Sequence, residues 1–122
     1  MQRFTELKIW QRSHQLALDI YKLTSSFPRS ELFGIVSQTR RAVVSVSSNI
    51  AEGAKRQSQG DYARFLNVAE ASLAETESLL RPARDLDFAS ASIADPLIDE
   101  AEQVSRMING MRDSVKAARA RS

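Results

Sequence analysis

Apolar residues recur at three- and four-residue steps along almost the whole chain, the period of helices that each lay one face on a core. In the first segment the stripe is Leu7, Trp10, Ala17, Ile20, Tyr21 and Thr24, broadened by Ile9, Leu16 and Leu23. Phe27-Pro28 ends it, because proline disfavours helical geometry in the residue before it. Ser30 then offers an N-cap ahead of Glu31, and Ile35, Val36, Thr39, Ala42, Val43, Val46 and Ile50 form a second stripe. Gly34 falls inside that start, where a glycine weakens a helix unless something packs close. Gly53 predicts the stop, as a left-handed residue with φ > 0 just past the last turn.

Ser58-Gln59-Gly60-Asp61 reads as a capping box with aspartate in place of glutamate. Tyr62, Phe65, Leu66, Ala69, Leu73, Thr76, Leu80 and Ala83 follow, with Pro82 predicting a kink or an early end. Ser92 or Asp95 is the expected cap of a fourth helix with Pro96 at its first position. Its face is Leu97, Ala101, Val104, Ile108, Met111 and Val115, and its Arg-rich end from Lys116 is expected to fray. Helices are thus expected over about 5–26, 32–53, 59–86 and 96–117, with no strand-like alternation and short connections. The fold class is all-α: one antiparallel, up-down-up-down four-helix bundle spanning 1–122.

The second helix carries another stripe, Gln38, Arg41, Ser45, Ser48, Asn49 and Glu52. Short polar side chains there run against helix propensity, since they compete for backbone hydrogen bonds. Two readings account for them: a seam where small residues let helices or subunits approach closely, or a polar contact surface. Arg41 and Glu52 are too far apart on one helix to pair, so Glu75 on the third helix is the expected partner of Arg41.

Composition narrows the chemistry. A chain of 122 residues with 43% hydrophobic and 26% charged positions is globular. No apolar run approaches the roughly 20 residues of a membrane span, and the N-terminal stretch has no apolar signal region, so a cytoplasmic protein with no membrane contact is expected. There is no cysteine, hence no disulfide or thiolate site. The lone histidine, His14, has no glutamate three residues before it, so the Glu-x-x-His pairs of a bundle-type di-metal site are missing. No glycine-rich phosphate loop appears, and a serine nucleophile would have only His14 as a base. An enzyme, a metal site and a cofactor are therefore not expected.

The net charge of +2 is unevenly spread: residues 1–64 carry ten Lys/Arg against five Asp/Glu, and residues 65–111 three against nine. Arginine, which suits bidentate phosphate contacts, dominates the cations. Arg40, Lys55, Arg56 and Arg64 are the candidate nucleic-acid contacts, whereas structural pairing is the expected role of Arg41. Trp10, Tyr21, Tyr62 and Phe65 fall on faces assigned to packing, so contact to phosphates rather than to bases is expected.

The run Gln38, Arg40-Arg41-Ala42, Ser45-Val46 and Asn49-Ile50-Ala51-Glu52-Gly53 resembles the signature of small four-helix-bundle proteins encoded in intervening sequences of 23S ribosomal RNA genes. Trp10, Tyr21, Phe27-Pro28, Glu31, Phe33-Gly34, Arg56, Ser58, Phe65-Leu66, Ala69, Ser72-Leu73 and Glu75 extend the likeness over roughly residues 4–80. Ala71 stands where that family usually has glycine, and Pro82 where its helix continues. The resemblance implies a homo-oligomeric ring, a pentamer. The family is similar in fold to accessory proteins of diversity-generating retroelements, which work with a reverse transcriptase and nucleic acid. Two functions follow as expectations: a non-enzymatic oligomer that binds RNA or DNA through phosphates or assists a ribonucleoprotein, and, as the alternative, a protein-interaction scaffold with no nucleic-acid role.

Overall fold

The computed structural model describes residues 3–121, which form four long helices: α1 (Lys8–Thr24), α2 (Ser37–Ala54), α3 (Gln59–Asp85) and α4 (Ala91–Arg121). A 3₁₀ turn, Phe4–Glu6, precedes α1. Each helix packs on the next, and α1 closes the bundle against α4. The connections at 55–58 and 86–90 are too short for anything but antiparallel neighbours. Leu16, Ile20, Val43, Val46, Ile50, Leu66, Leu73, Leu80, Val104 and Ile108 form the solvent-free centre. The expected all-α four-helix bundle is the observed architecture.

Several local expectations are corrected. The centre of the α1 face is Ile9, Ser13, Leu16, Ile20 and Leu23, so Trp10 is pushed to the edge and Tyr21 is exposed. Ser13 can lie in the core because its hydroxyl donates to the Ile9 carbonyl at 2.6 Å. Thr24, Thr39 and Thr76 hide their hydroxyls in the same way, on carbonyls one turn back. Ser30 caps nothing: the chain enters α2 through a 3₁₀ turn, Arg29–Glu31, and a π turn, Leu32–Val36, broken by Gly34 at φ −107°, ψ −111°. α4 begins five residues before Pro96, where the Ser90 carbonyl accepts from the amides of Ile93 and Ala94. It also stays helical through Arg121 instead of fraying from Lys116. Pro82 is accommodated inside α3, which runs three residues beyond it. The Ser58 cap is as expected, its hydroxyl accepting from the Asp61 amide at 2.9 Å.

Gly53 is the most informative correction. It lies inside α2, which ends at Ala54, and among the described residues no glycine has positive φ. The glycine is needed for space: a Cβ there would come 2.9 Å from Phe65 Cβ and 3.0 Å from Tyr62 Cδ1. Gly53 therefore ends a seam of small residues, Ser45, Asn49 and Gly53, four residues apart on the side of α2 that faces α3. The left-handed residue that ends a helix is Asp87, after α3, with φ 63°.

Candidate nucleic-acid interface

Antiparallel packing gathers charge that the chain order scatters. The N-terminal turns, the α2–α3 connection and the end of α4 meet at one end of the bundle. Segments 3–12, 50–66 and 110–121 carry ten Lys/Arg against four Asp/Glu, whereas the remainder carries seven against eleven. The bundle is electrically polar, about +6 at this end and −4 over the rest, which together make the net +2.

Three of the four candidate cations lie at that basic end. Arg56 and Arg64 both rest on the Phe65 ring, with guanidinium carbons 4.7 and 4.8 Å from its centroid. Such stacking fixes the guanidinium planes and leaves their N–H edges available. Each also has a carboxylate neighbour, Glu52 at 3.6 Å from Arg56 and Asp61 at 3.7 Å from Arg64, in exposed, long contacts that hold little energy. Lys55 Nζ lies 5.6 Å from the Phe4 centroid. The α4 end contributes Arg119, whose guanidinium packs against Gly60, so a Cβ at Gly60 would come 3.2 Å from its Nη1.

Arg40 is separated from these three. Fifteen residues of α2 rise lie between it and Lys55, about 22 Å. Its Nε donates to Thr24 Oγ1 at 2.9 Å and its Nη2 to the Tyr21 carbonyl at 3.3 Å, and its guanidinium covers the Tyr21 ring at 4.6 Å. Half-buried and held by α1, it clamps the α1–α2 packing.

The polar stripe divides between a seam and a surface. Ser45 and Ser72 hydroxyls meet at 2.9 Å across α2 and α3, and Asn49 Nδ2 donates to the Ser45 carbonyl and hydroxyl at 2.8 and 3.0 Å. Gln38 and Arg41 line an open depression with Ala42, Ser45, Ser72 and Glu75. Arg41 and Glu75 share this depression, but among the described residues no ion pair joins them, so the expected partnership is not made. Ser48 and Glu52 face outward. Short ion pairs hold other cations: Arg84 on Asp85 and Asp95, Arg81 on Glu77 and Glu102, and, among those counted at the basic end, Arg12 on Glu100 and Arg112 on Glu70. The bidentate contact with Glu100 raises the Arg12 pKa further above its ordinary value.

Periodicity did not disclose three aromatic features. Phe33 is 92% exposed, on the π turn before α2. Tyr21 is exposed beneath Arg40, and Phe4, Trp10 and His14 form a run of touching rings at the basic end. The i, i+4 spacing of Trp10 and His14 was the available signal for the last. Among the described residues no cluster of three or more His, Asp or Glu could hold a metal ion, and no helix is long and apolar enough to cross a membrane.

Comparison with solved structures finds a crystal structure of a protein of unknown function from the S23 ribosomal protein family of Bacteroides thetaiotaomicron. It is 20% identical, covers 85% of this chain and 97% of its own, and superposes with a TM-score of 0.77, a likeness of fold. Comparison with curated proteins gives no match. The family model for the 23S rRNA-intervening sequence protein matches residues 5–110, and the chain accordingly belongs to that family.

Proposed function

We propose that the protein is a non-enzymatic nucleic-acid-binding oligomer that grips a phosphate backbone with its basic end. The observation that carries this reading is the set Lys55, Arg56 and Arg64: three exposed cations, two from the α2–α3 connection and one from the first turns of α3, two of them stacked on one ring, and none tied into a short ion pair. Phosphate contact needs no cleft or metal, only pre-oriented donors and a local excess of positive charge. The test is a titration of labelled RNA and DNA at low and physiological salt. Each neutralised phosphate steepens the salt dependence by a slope of about 0.7–0.9. Replacing Lys55, Arg56 and Arg64 by glutamine is expected to lower the slope by about 2, with helicity unchanged. A triple variant that binds like wild type removes the basic end from the function.

The exposed apolar residues support self-association as the form in which it acts. Leu18, Tyr21, Val44, Leu32 and Phe33 lie along the outer α1–α2 edge and the turn leading into α2, rimmed by Arg29, Arg40 and Arg41. Beside the α3–α4 connection, Leu86 and Ile93 are 62% and 55% exposed among Asp85, Asp87 and Asp95. The two patches are unlike: the first has a basic rim, whereas the second is edged by carboxylates, two of which are held by Arg84. A contact between unlike patches repeats from copy to copy and closes into a ring if the rotation permits, as a pentamer would require. A ring also repeats the basic end, so modest phosphate contacts accumulate. Light scattering of Phe33→Glu tests this reading, which requires the variant to dissociate.

A further inference from the structure

The basic end carries rings as well as cations. Phe4 meets Trp10 edge to face with centroids 5.3 Å apart, and Trp10 stacks on His14 at 4.8 Å with 9° between their planes. Lys55 lies on the Phe4 ring, so cation, Phe4, Trp10 and His14 form one continuous run. Phe4 and Trp10 are half-buried and packed against the bundle, which fixes the run's inner members. His14 is its exposed outer member, held flat by Trp10 one helical turn away. Among the described residues the imidazole makes no hydrogen bond.

A charged groove beside aromatic rings is what a single strand uses, since phosphates follow the cations and unpaired bases stack on the rings. Histidine serves as such a ring as well as the benzenoid side chains do. We propose, resting on the phosphate reading of the basic end, that an unpaired nucleobase stacks on the outer face of His14 and extends the Phe4–Trp10–His14 run. Lys55, at the Phe4 end of the run, and Arg56 then hold phosphates further along the same strand. The ligand is a single-stranded segment, a loop or an end, because the bases of a duplex are already stacked on one another.

Trp10 is the only tryptophan, so its fluorescence reports events on the ring beside it. The probes are a short oligoadenylate, an abasic strand of equal length and charge, and a duplex of the same length. The oligoadenylate is expected to change Trp10 emission and to bind about tenfold more tightly than the abasic strand, the effect of one stacked base. His14→Ala should abolish that preference and leave the salt dependence intact, and His14→Phe should restore it. The duplex, whose bases are already stacked, should leave Trp10 emission unchanged and bind wild type and His14→Ala alike. Equal affinity of the wild type for oligoadenylate and abasic strand overturns base stacking while leaving the phosphate reading standing. Binding of neither strand at low salt overturns both.

Discussion

Gly53→Ala tests the physical account of the α2–α3 seam. Inside a helix the added methyl gains up to about 1 kcal/mol of propensity, and less in the last turn, where Gly53 lies. Against this, the new Cβ meets Phe65 Cβ at 2.9 Å, Tyr62 Cδ1 at 3.0 Å and the Tyr62 carbonyl oxygen at 3.4 Å. Neither Phe65 Cβ nor the carbonyl is the tip of a flexible side chain, so α3 itself has to move away. Overpacking of that kind costs about 1–3 kcal/mol. The two effects leave a net loss of about 1 kcal/mol for alanine and about 2–3 kcal/mol for the larger, β-branched valine. For a chain of 122 residues, a loss of 1 kcal/mol lowers Tm by about 4 °C. Thermal and urea denaturation of the two variants measure it. Gly53→Ala at or above wild-type stability would refute the close approach, because propensity alone would then govern the site. Valine no worse than alanine would refute it equally.

Other substitutions separate structural from binding roles. Arg40→Gln removes the contacts to Thr24 and Tyr21, and is expected to destabilise by about 1–2 kcal/mol in denaturation while leaving the salt slope of nucleic-acid binding unchanged. Ser45→Val leaves Asn49 with one acceptor fewer and Ser72 without its cross-helix partner, an expected loss of about 1 kcal/mol by urea titration. Phe33→Ala, at a side chain 92% exposed, should leave subunit stability nearly unchanged but reduce the mass seen by light scattering. Burial pushes the Tyr62 phenol up, so the folded state keeps that proton to higher pH than the unfolded chain. Its contribution is therefore complete below about pH 10 and lost as pH rises through the folded value, and Tyr62→Phe should flatten that alkaline decline in Tm.

The helical period exposed the four helices and most of the core, because burial of one face repeats with the backbone, but it left out Ala63, Ala94 and Ile98 and named the half-buried Leu97 instead. It failed where a polar group is satisfied locally. Ser13 looks like a solvent position until its bond to the Ile9 carbonyl is seen, and omitting it shifted the assigned α1 face toward Trp10 and Tyr21. Gly53 resembled a helix stop because glycine serves equally for positive φ and for close packing, and only the position of Phe65 separates the two. The short polar residues of α2 were legible as a conflict with propensity, whereas the division between seam and surface needed Ser72 from another helix. The basic end was half visible, as an excess of cations in residues 1–64. Its completion by the end of α4, and the removal of Arg40 from it, depend on antiparallel packing. Phe4 and Phe33 escaped because they precede the helical stripes and the period says nothing of them, and Trp10 because the period counts its ring as core.

Under the proposed function, nucleic acid meets the basic end of the bundle and no other surface. Photocrosslinking of a 4-thiouridine-bearing RNA at low salt, with the attached peptides identified by mass spectrometry, tests it directly and does so whatever the size of the oligomer. Crosslinks are expected within residues 3–14, 52–66 and 110–121, all lost when Lys55, Arg56 and Arg64 are replaced by glutamine. Crosslinks concentrated instead around Phe33 and Arg40, or beside the α3–α4 connection, would contradict it.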